Sequence, residues 1–171
     1  GDRPVFDMVT GISSGALIAP LAFLGRSHDR QLAELFTRYT EEDIYQKQIL
    51  AGVLGGPAVA DNAPLARLIA KYVDKTTLKL IAEQRGQGRI LLVGTTNLNA
   101  QRPVFWDMGK IAQLGTPQAL DLFRSVLLAS AALPGIFPPV EINVEANGQT
   151  YTELHVDGGP TREVFLTPGE F

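Results

Sequence analysis

Gly11-Ile12-Ser13-Ser14-Gly15 constrains this chain more than any other stretch. These residues follow Val5–Thr10 (VFDMVT), a short β-branched-rich run that predicts a buried strand. They lead into Ser14 to about Leu24, which is apolar on nearly every side and predicts a helix enclosed by protein. Gly-x-Ser-x-Gly between a strand and a helix is the pattern of a nucleophile elbow. The chain turns sharply, the serine stands at the tip on a strained backbone, and the helix N-terminus beside it favours negative charge. Gly11 and Gly15 are expected to remove side chains that would clash in that turn. Ser13 is therefore a candidate nucleophile, and a plain Gly/Ser turn capping a helix is the simpler reading of the same residues. Asp7, inside the predicted strand, needs a partner if buried. Pro20 removes one backbone hydrogen bond from the helix and marks a candidate kink.

Downstream, Asp29–Thr40 places Leu32, Leu35, Phe36 and Tyr39 on one helical stripe. Gly52–Pro64, with Gly55-Gly56-Pro57, reads as a mobile loop. Pro64–Val73 and Thr77–Gln84 read as short helices, the second ended by Gly86. Arg89–Thr95 and Pro103–Asp107 read as strands, and Pro117–Ala131 as a helix whose end is crowded with small residues. Pro134-Gly135 and Pro138-Pro139 enforce a loop, and Asn147-Gly148 joins Val140–Ala146 to Gln149–Val156 in a hairpin. Helices and strands mixed along 171 residues predict one α/β domain spanning 1–171 with a largely buried sheet.

A serine hydroxyl needs a base. His28, in a polar stretch beyond the first helix, and His155, in the last strand, are the only histidines. Period two puts Tyr151, Glu153, His155 and Asp157 on one side of that strand. His155 could complete a triad with Asp107 or Asp121 as the acid, although a strand histidine bonded to a neighbour is the preferred reading. The other candidate base is Asp157, which ends a strand and is followed by Gly158-Gly159; by itself Asp-Gly-Gly is a common turn.

Composition excludes several alternatives. There is no Cys, which removes disulfides, Cys-based zinc sites and a thiol nucleophile, and two histidines cannot build a His-rich metal site. The formal charge of −3 gives no basic footprint for nucleic acid. The longest apolar stretch, Gly15–Gly25, is 11 residues and far short of the about 20 a spanning helix needs. No signal peptide is visible, and the compartment is left open. The chain opens almost directly into Pro4-Val5-Phe6, as though in the middle of a fold, so a piece of a longer protein is expected.

Taken together, Gly11–Gly15 and Asp157–Gly159 resemble the patatin-like phospholipases. So do Gly94–Asn97 with Arg102–Asp107, Ala129–Pro139 (ASAALPGIFPP), and His155-Val156 leading into Asp157. The resemblance spans residues 5 to about 166. It implies a three-layer α/β fold with a mainly parallel central sheet, and hydrolysis of lipid acyl esters of the phospholipase A, lysophospholipase or esterase type. It implies a Ser–Asp dyad without His and without metal or organic cofactor: Ser13 as nucleophile and Asp157 as general base, supported by Gly11, Gly15, Gly158 and Gly159. The alternatives are an esterase with a Ser-His-Asp triad using His155, and a lipid-binding module without turnover. A lipid or other acyl ester is the expected partner, with peripheral membrane contact left open. Ile136 and Phe137 are candidates for the wall of an acyl pocket, with core packing the simpler reading. The family's Gly-rich oxyanion loop is not found in Gly1-Asp2-Arg3-Pro4, so it is expected in an upstream segment, and the 171 residues are expected to be an N-terminally truncated piece.

Overall fold

In the computed structural model, residues 4–38 and 61–159 are described. Among these residues five strands form one sheet: β1 (Met8–Gly11), β2 (Ile90–Asn97), β3 (Arg102–Asp107), β4 (Val140–Ala146) and β5 (Gln149–Asp157). Among the described residues six α-helices accompany it: α1 (Ser14–Leu24), α2 (Asp29–Arg38), α3 (Ala63–Tyr72), α4 (Lys75–Gly86), α5 (Met108–Gln113) and α6 (Pro117–Ser130). The helical expectations at Tyr39 and Thr40, and most of the Gly52–Pro64 loop with Gly55-Gly56-Pro57, lie outside the described residues.

β2 is the hub. It pairs β1 in parallel and β3 and β5 antiparallel, and β4 pairs β5 antiparallel. The mixed α/β architecture matches expectation; among the described residues β1–β2 is the parallel pairing and the other three are antiparallel. The reason is local. A short turn joins β2 to β3, and Asn147-Gly148, both at positive φ, joins β4 to β5, and tight turns make antiparallel neighbours. β1 reaches β2 only through α1 and the helices that follow, the long crossover that parallel pairing requires.

The register positions the site. β3 occupies one edge of β2 along Leu92–Asn97. β1 pairs Ile90–Val93 and β5 pairs Thr95–Asn97, so both must lie along the other edge. β1 runs up that edge and ends at Gly11 opposite Val93, while β5 runs down it and ends at Asp157 opposite Thr95. The two strand ends meet from opposite directions, with Gly94 between them.

The core packs on the face carrying Leu91 and Val93, and its helical side includes Ala16, Ala19, Leu21, Phe23, Phe123, Val126 and Leu127. α1 is enclosed as expected and runs on past Pro20, itself buried. Buried Arg89 donates to the carbonyls of Phe6 (2.9 Å) and Phe23 (2.7 Å), tying the chain before β1 to the end of α1. The first strand is shorter than expected: Asp7 falls in an exposed bend before it, and Val5, Phe6 and Met8 are exposed. α5 was not anticipated; Asp107 caps it by accepting from the Lys110 amide at 2.9 Å.

Candidate active site

Gly11 is the last residue of β1, and a Cβ there would stand 2.7–2.9 Å from the backbone of Gly15 and Ala16. Its bare Cα is what lets α1 fold back over the strand. Gly15 is a correction to the sequence reading: a Cβ there would meet nothing within 4 Å, because it points away from the strand. Between them Ser13 has φ 55° and ψ −131°, a non-glycine residue at positive φ. Such a conformation costs roughly 1–3 kcal/mol and persists only where its surroundings fix it.

Two contacts do so. The Ala16 amide donates to the Ser13 carbonyl at 3.0 Å. The Ser13 amide donates to Ser130 Oγ at 3.2 Å, and Ser130 Oγ donates to the Gly94 carbonyl at 2.7 Å. Ser130, fully buried at the end of α6, therefore anchors the turn to β2. Ser13 occupies the N-cap position of α1, yet its side chain makes no capping hydrogen bond.

Asp157 is 1% exposed. Its amide donates to the Ala132 carbonyl at 3.0 Å and its carbonyl accepts from Thr96 Oγ1 at 2.9 Å. The carboxylate is half used: Oδ1 accepts from the Gly159 amide at 2.8 Å, and buried Oδ2 has no hydrogen-bond partner among the described residues. Gly158 follows, where a Cβ would lie 2.8 Å from the Gly94 carbonyl oxygen and 3.1 Å from Ile12 Cγ2. Glycine is required there because the chain leaving β5 crosses against both β2 and the elbow. Two neighbouring residues of one segment, Ser130 and Ala132, thus hold the amides of Ser13 and Asp157 respectively.

His155 is fully buried with both ring nitrogens engaged, Nδ1 2.9 Å from Thr95 Oγ1 and Nε2 3.1 Å from Glu153 Oε2. It is the strand histidine bonded to its neighbours that the sequence favoured. His28 lies in the 3-10 turn Arg26–His28 beyond α1, its Nδ1 paired with Ser27 Oγ. The triad acids are placed elsewhere. Asp107 pairs with Arg85 at 3.1 Å while capping α5, and Asp121 is exposed on α6. Phe137 is 2% exposed and belongs to the core, with Ile136 packed half-buried against it. Ser130 and Thr95 were not singled out from sequence. The available signal was a hydroxyl among apolar neighbours, which must find partners once buried.

Burial lowers the pKa of both histidines, for His155 against the opposing pull of the Glu153 carboxylate. The unfolded chain therefore binds more protons below about pH 6.5, so stability is complete above that pH and is lost as the pH falls towards the lowered folded values. Thermal denaturation between pH 7.5 and 5.5 should show Tm falling on acidification. His155→Asn should make the decline shallower, leaving the His28 share; an unchanged slope would mean that His155 titrates alike in both states.

The chain matches the sequence profile of the patatin-like phospholipases over residues 1–166. It belongs to the patatin-like phospholipase family. No individual curated protein gives a match. Patatin-like phospholipases are lipid acyl hydrolases, so the family's substrate class is the acyl ester of a lipid. Among the described residues no helix is long and apolar enough to cross a membrane, and no cluster of three or more His, Asp or Glu could hold a metal ion.

Proposed function

We propose that this protein hydrolyses lipid acyl esters in two half-reactions through Ser13 and Asp157. The observation that carries the reading is the meeting of two strand ends on one edge of β2, one leading to a strained serine and the other ending in a buried carboxylate with an unpartnered oxygen. Asp157 Oδ2 takes the Ser13 hydroxyl proton as Oγ attacks the ester carbonyl. Charge developing on the carbonyl oxygen is met by the Ser14 and Gly15 amides at the start of α1, the Ala16 amide being taken by the Ser13 carbonyl. Collapse breaks the ester bond, Asp157 returns the proton to the departing alcohol or lysolipid, and an acyl-Ser13 remains. Water then attacks the acyl-enzyme, giving its proton to Asp157, and the fatty acid leaves with Ser13 regenerated. Neither step requires a metal or organic cofactor. The substrate is amphiphilic and is met at an interface, so peripheral membrane contact is part of this reading.

The triad alternative lacks support, because both nitrogens of His155 are already engaged by Thr95 and Glu153. The test is covalent. An alkyl fluorophosphonate should phosphonylate Ser13 at neutral pH, identified by mass spectrometry of the labelled peptide. Labelling should be lost in Ser13→Ala and strongly slowed in Asp157→Asn. A chain that turns over lipid esters while leaving Ser13 unlabelled would refute the assignment.

A further inference from the structure

The side chain of His155 takes no part in this chemistry, yet it is fully buried two residues before Asp157 and on the same face of β5. Its hydrogen bonds have a forced direction. The Trp106 indole N–H, which can only donate, gives its proton to Thr95 Oγ1 at 2.8 Å. His155 Nε2 faces the Glu153 carboxylate, which only accepts, so the neutral ring carries its proton on Nε2; Nδ1 is left as an acceptor and takes the single hydroxyl proton of Thr95. The indole also stands edge-on to the imidazole, with centroids 5.4 Å apart. Tyr151, Glu153 and Asp157 are the ionisable groups that share the histidine's face of β5, Tyr151 lying towards its exposed end. From the packed elements, β2 contributes Thr95 and Asn97, β3 Trp106 and β4 Val140, none of which titrates, and the buried side chains of α6 are apolar apart from Ser130.

The junction these bonds span is small. β5 pairs with β2 at three positions, Thr95–Asp157, Thr96–Val156 and Asn97–His155, and just beyond them Leu154 is held by the Leu98 amide (2.8 Å) and by Asn99 Oδ1 (2.7 Å). Thr95, the middle of the hydrogen-bonded chain, is the residue opposite Asp157 itself. Thr96 secures the Asp157 carbonyl with a side chain on the other face of β2. We propose that Thr95 and His155 are positioning residues for Asp157: by tying β2, β3 and the end of β5 together on the core face, they fix the direction in which the unpaired carboxylate oxygen is held. This rests on Asp157 being the base, as proposed above. A displacement of about 1 Å in a reacting group can cost on the order of 10²-fold in rate, so a loosened junction is read in turnover before it is read in the fold.

The experiment exploits the direction of the bonds. In His155→Asn the amide oxygen reaches the place of Nδ1 and accepts the Thr95 proton, whereas in His155→Gln the amide sits at the place of Nε2 and leaves Thr95 without an acceptor. With a short-chain ester, His155→Asn should keep kcat within about threefold, and His155→Gln and Thr95→Val should each lose about 10–100-fold with KM little changed. Thr95→Ser, which keeps the hydroxyl, should restore turnover. Val140→Ala, opposite His155 on β4, supplies a destabilised control and should lower Tm without the loss in kcat. Equal kcat for the Asn and Gln variants, wild-type kcat in Thr95→Val, or an equal loss in Val140→Ala would each overturn the proposal. Should the variants not fold, ¹⁵N NMR of the unmodified protein decides: Nδ1 must be unprotonated and Nε2 protonated, and the reverse tautomer refutes the chain. Ser13→Ala and Asp157→Asn, run alongside, separate the two failures. If they retain turnover, the dyad reading falls and this inference with it; if they are inactive and the pattern above is absent, this inference falls alone.

Discussion

Ser13→Ala is expected to lower kcat for ester hydrolysis by about 10⁵–10⁶-fold with the fold intact, the scale seen when a serine nucleophile is removed. Ser14→Ala should stay within about tenfold of the unmodified protein, because its side chain is exposed on the first turn of α1. The strained backbone adds a second measurable consequence. Alanine keeps a Cβ at φ 55° and so keeps the strain, whereas glycine adopts that region freely. Ser13→Gly should therefore be as inactive as Ser13→Ala but more stable than it by about 1–2 kcal/mol, the relieved strain outweighing the extra entropy glycine gives the unfolded chain. Initial rates on a short-chain ester and thermal denaturation read the two effects separately. Turnover surviving in Ser13→Ala but lost in Ser14→Ala would move the nucleophile by one residue. A glycine variant no more stable than the alanine one would mean that the turn is relaxed in solution.

What the sequence revealed about this site follows from the range of the interactions involved. The elbow was legible because its determinants are contiguous: a β-branched run, Gly11, and an apolar run starting at Ser14, where α1 does begin. The β4–β5 hairpin was legible for the same reason, through Asn147-Gly148. Boundaries slipped where a cap decided them. Thr77–Gln84 was expected and Lys75–Gly86 is helical, because the Asp74 side chain accepts from the Thr77 amide at 2.8 Å and starts the helix earlier. The convergence of Ser13 and Asp157 was not readable from local pattern. It depends on β1 and β5 sharing one edge of β2, a choice made by β3 taking the other edge, and no single segment encodes that. Family resemblance supplied the pairing of residues, whereas the register and the anchoring by Ser130 and Ala132 required the folded chain. Gly15 shows the limit of motif reading: the pattern contains it, but a Cβ there has open space.

Asp157→Asn separates a dyad from a triad. The amide keeps the size of the side chain, and its oxygen can still accept from the Gly159 amide, so the end of β5 should hold. What is lost is a group able to take the Ser13 proton. A positioned base contributes up to about 10⁴-fold, and with no other acceptor in place kcat should fall by roughly 10³–10⁴-fold while KM changes little. His155→Asn gives the opposite expectation under the two mechanisms. In a dyad it leaves the base untouched and turnover survives. In a triad it removes the proton acceptor and must be as damaging as Ser13→Ala, since members of such a unit fail together. The geometry favours the first outcome, because Nδ1 is taken by Thr95 and Nε2 by Glu153, leaving the imidazole no free nitrogen for Ser13. The double variant Ser13→Ala/Asp157→Asn completes the cycle. If the two residues act on one proton, it should be no slower than Ser13→Ala alone, since the base has no function once the hydroxyl is gone. Additive losses would mean that Asp157 acts on something other than Ser13, and an inactive but folded His155→Asn would return the proton transfer to the histidine.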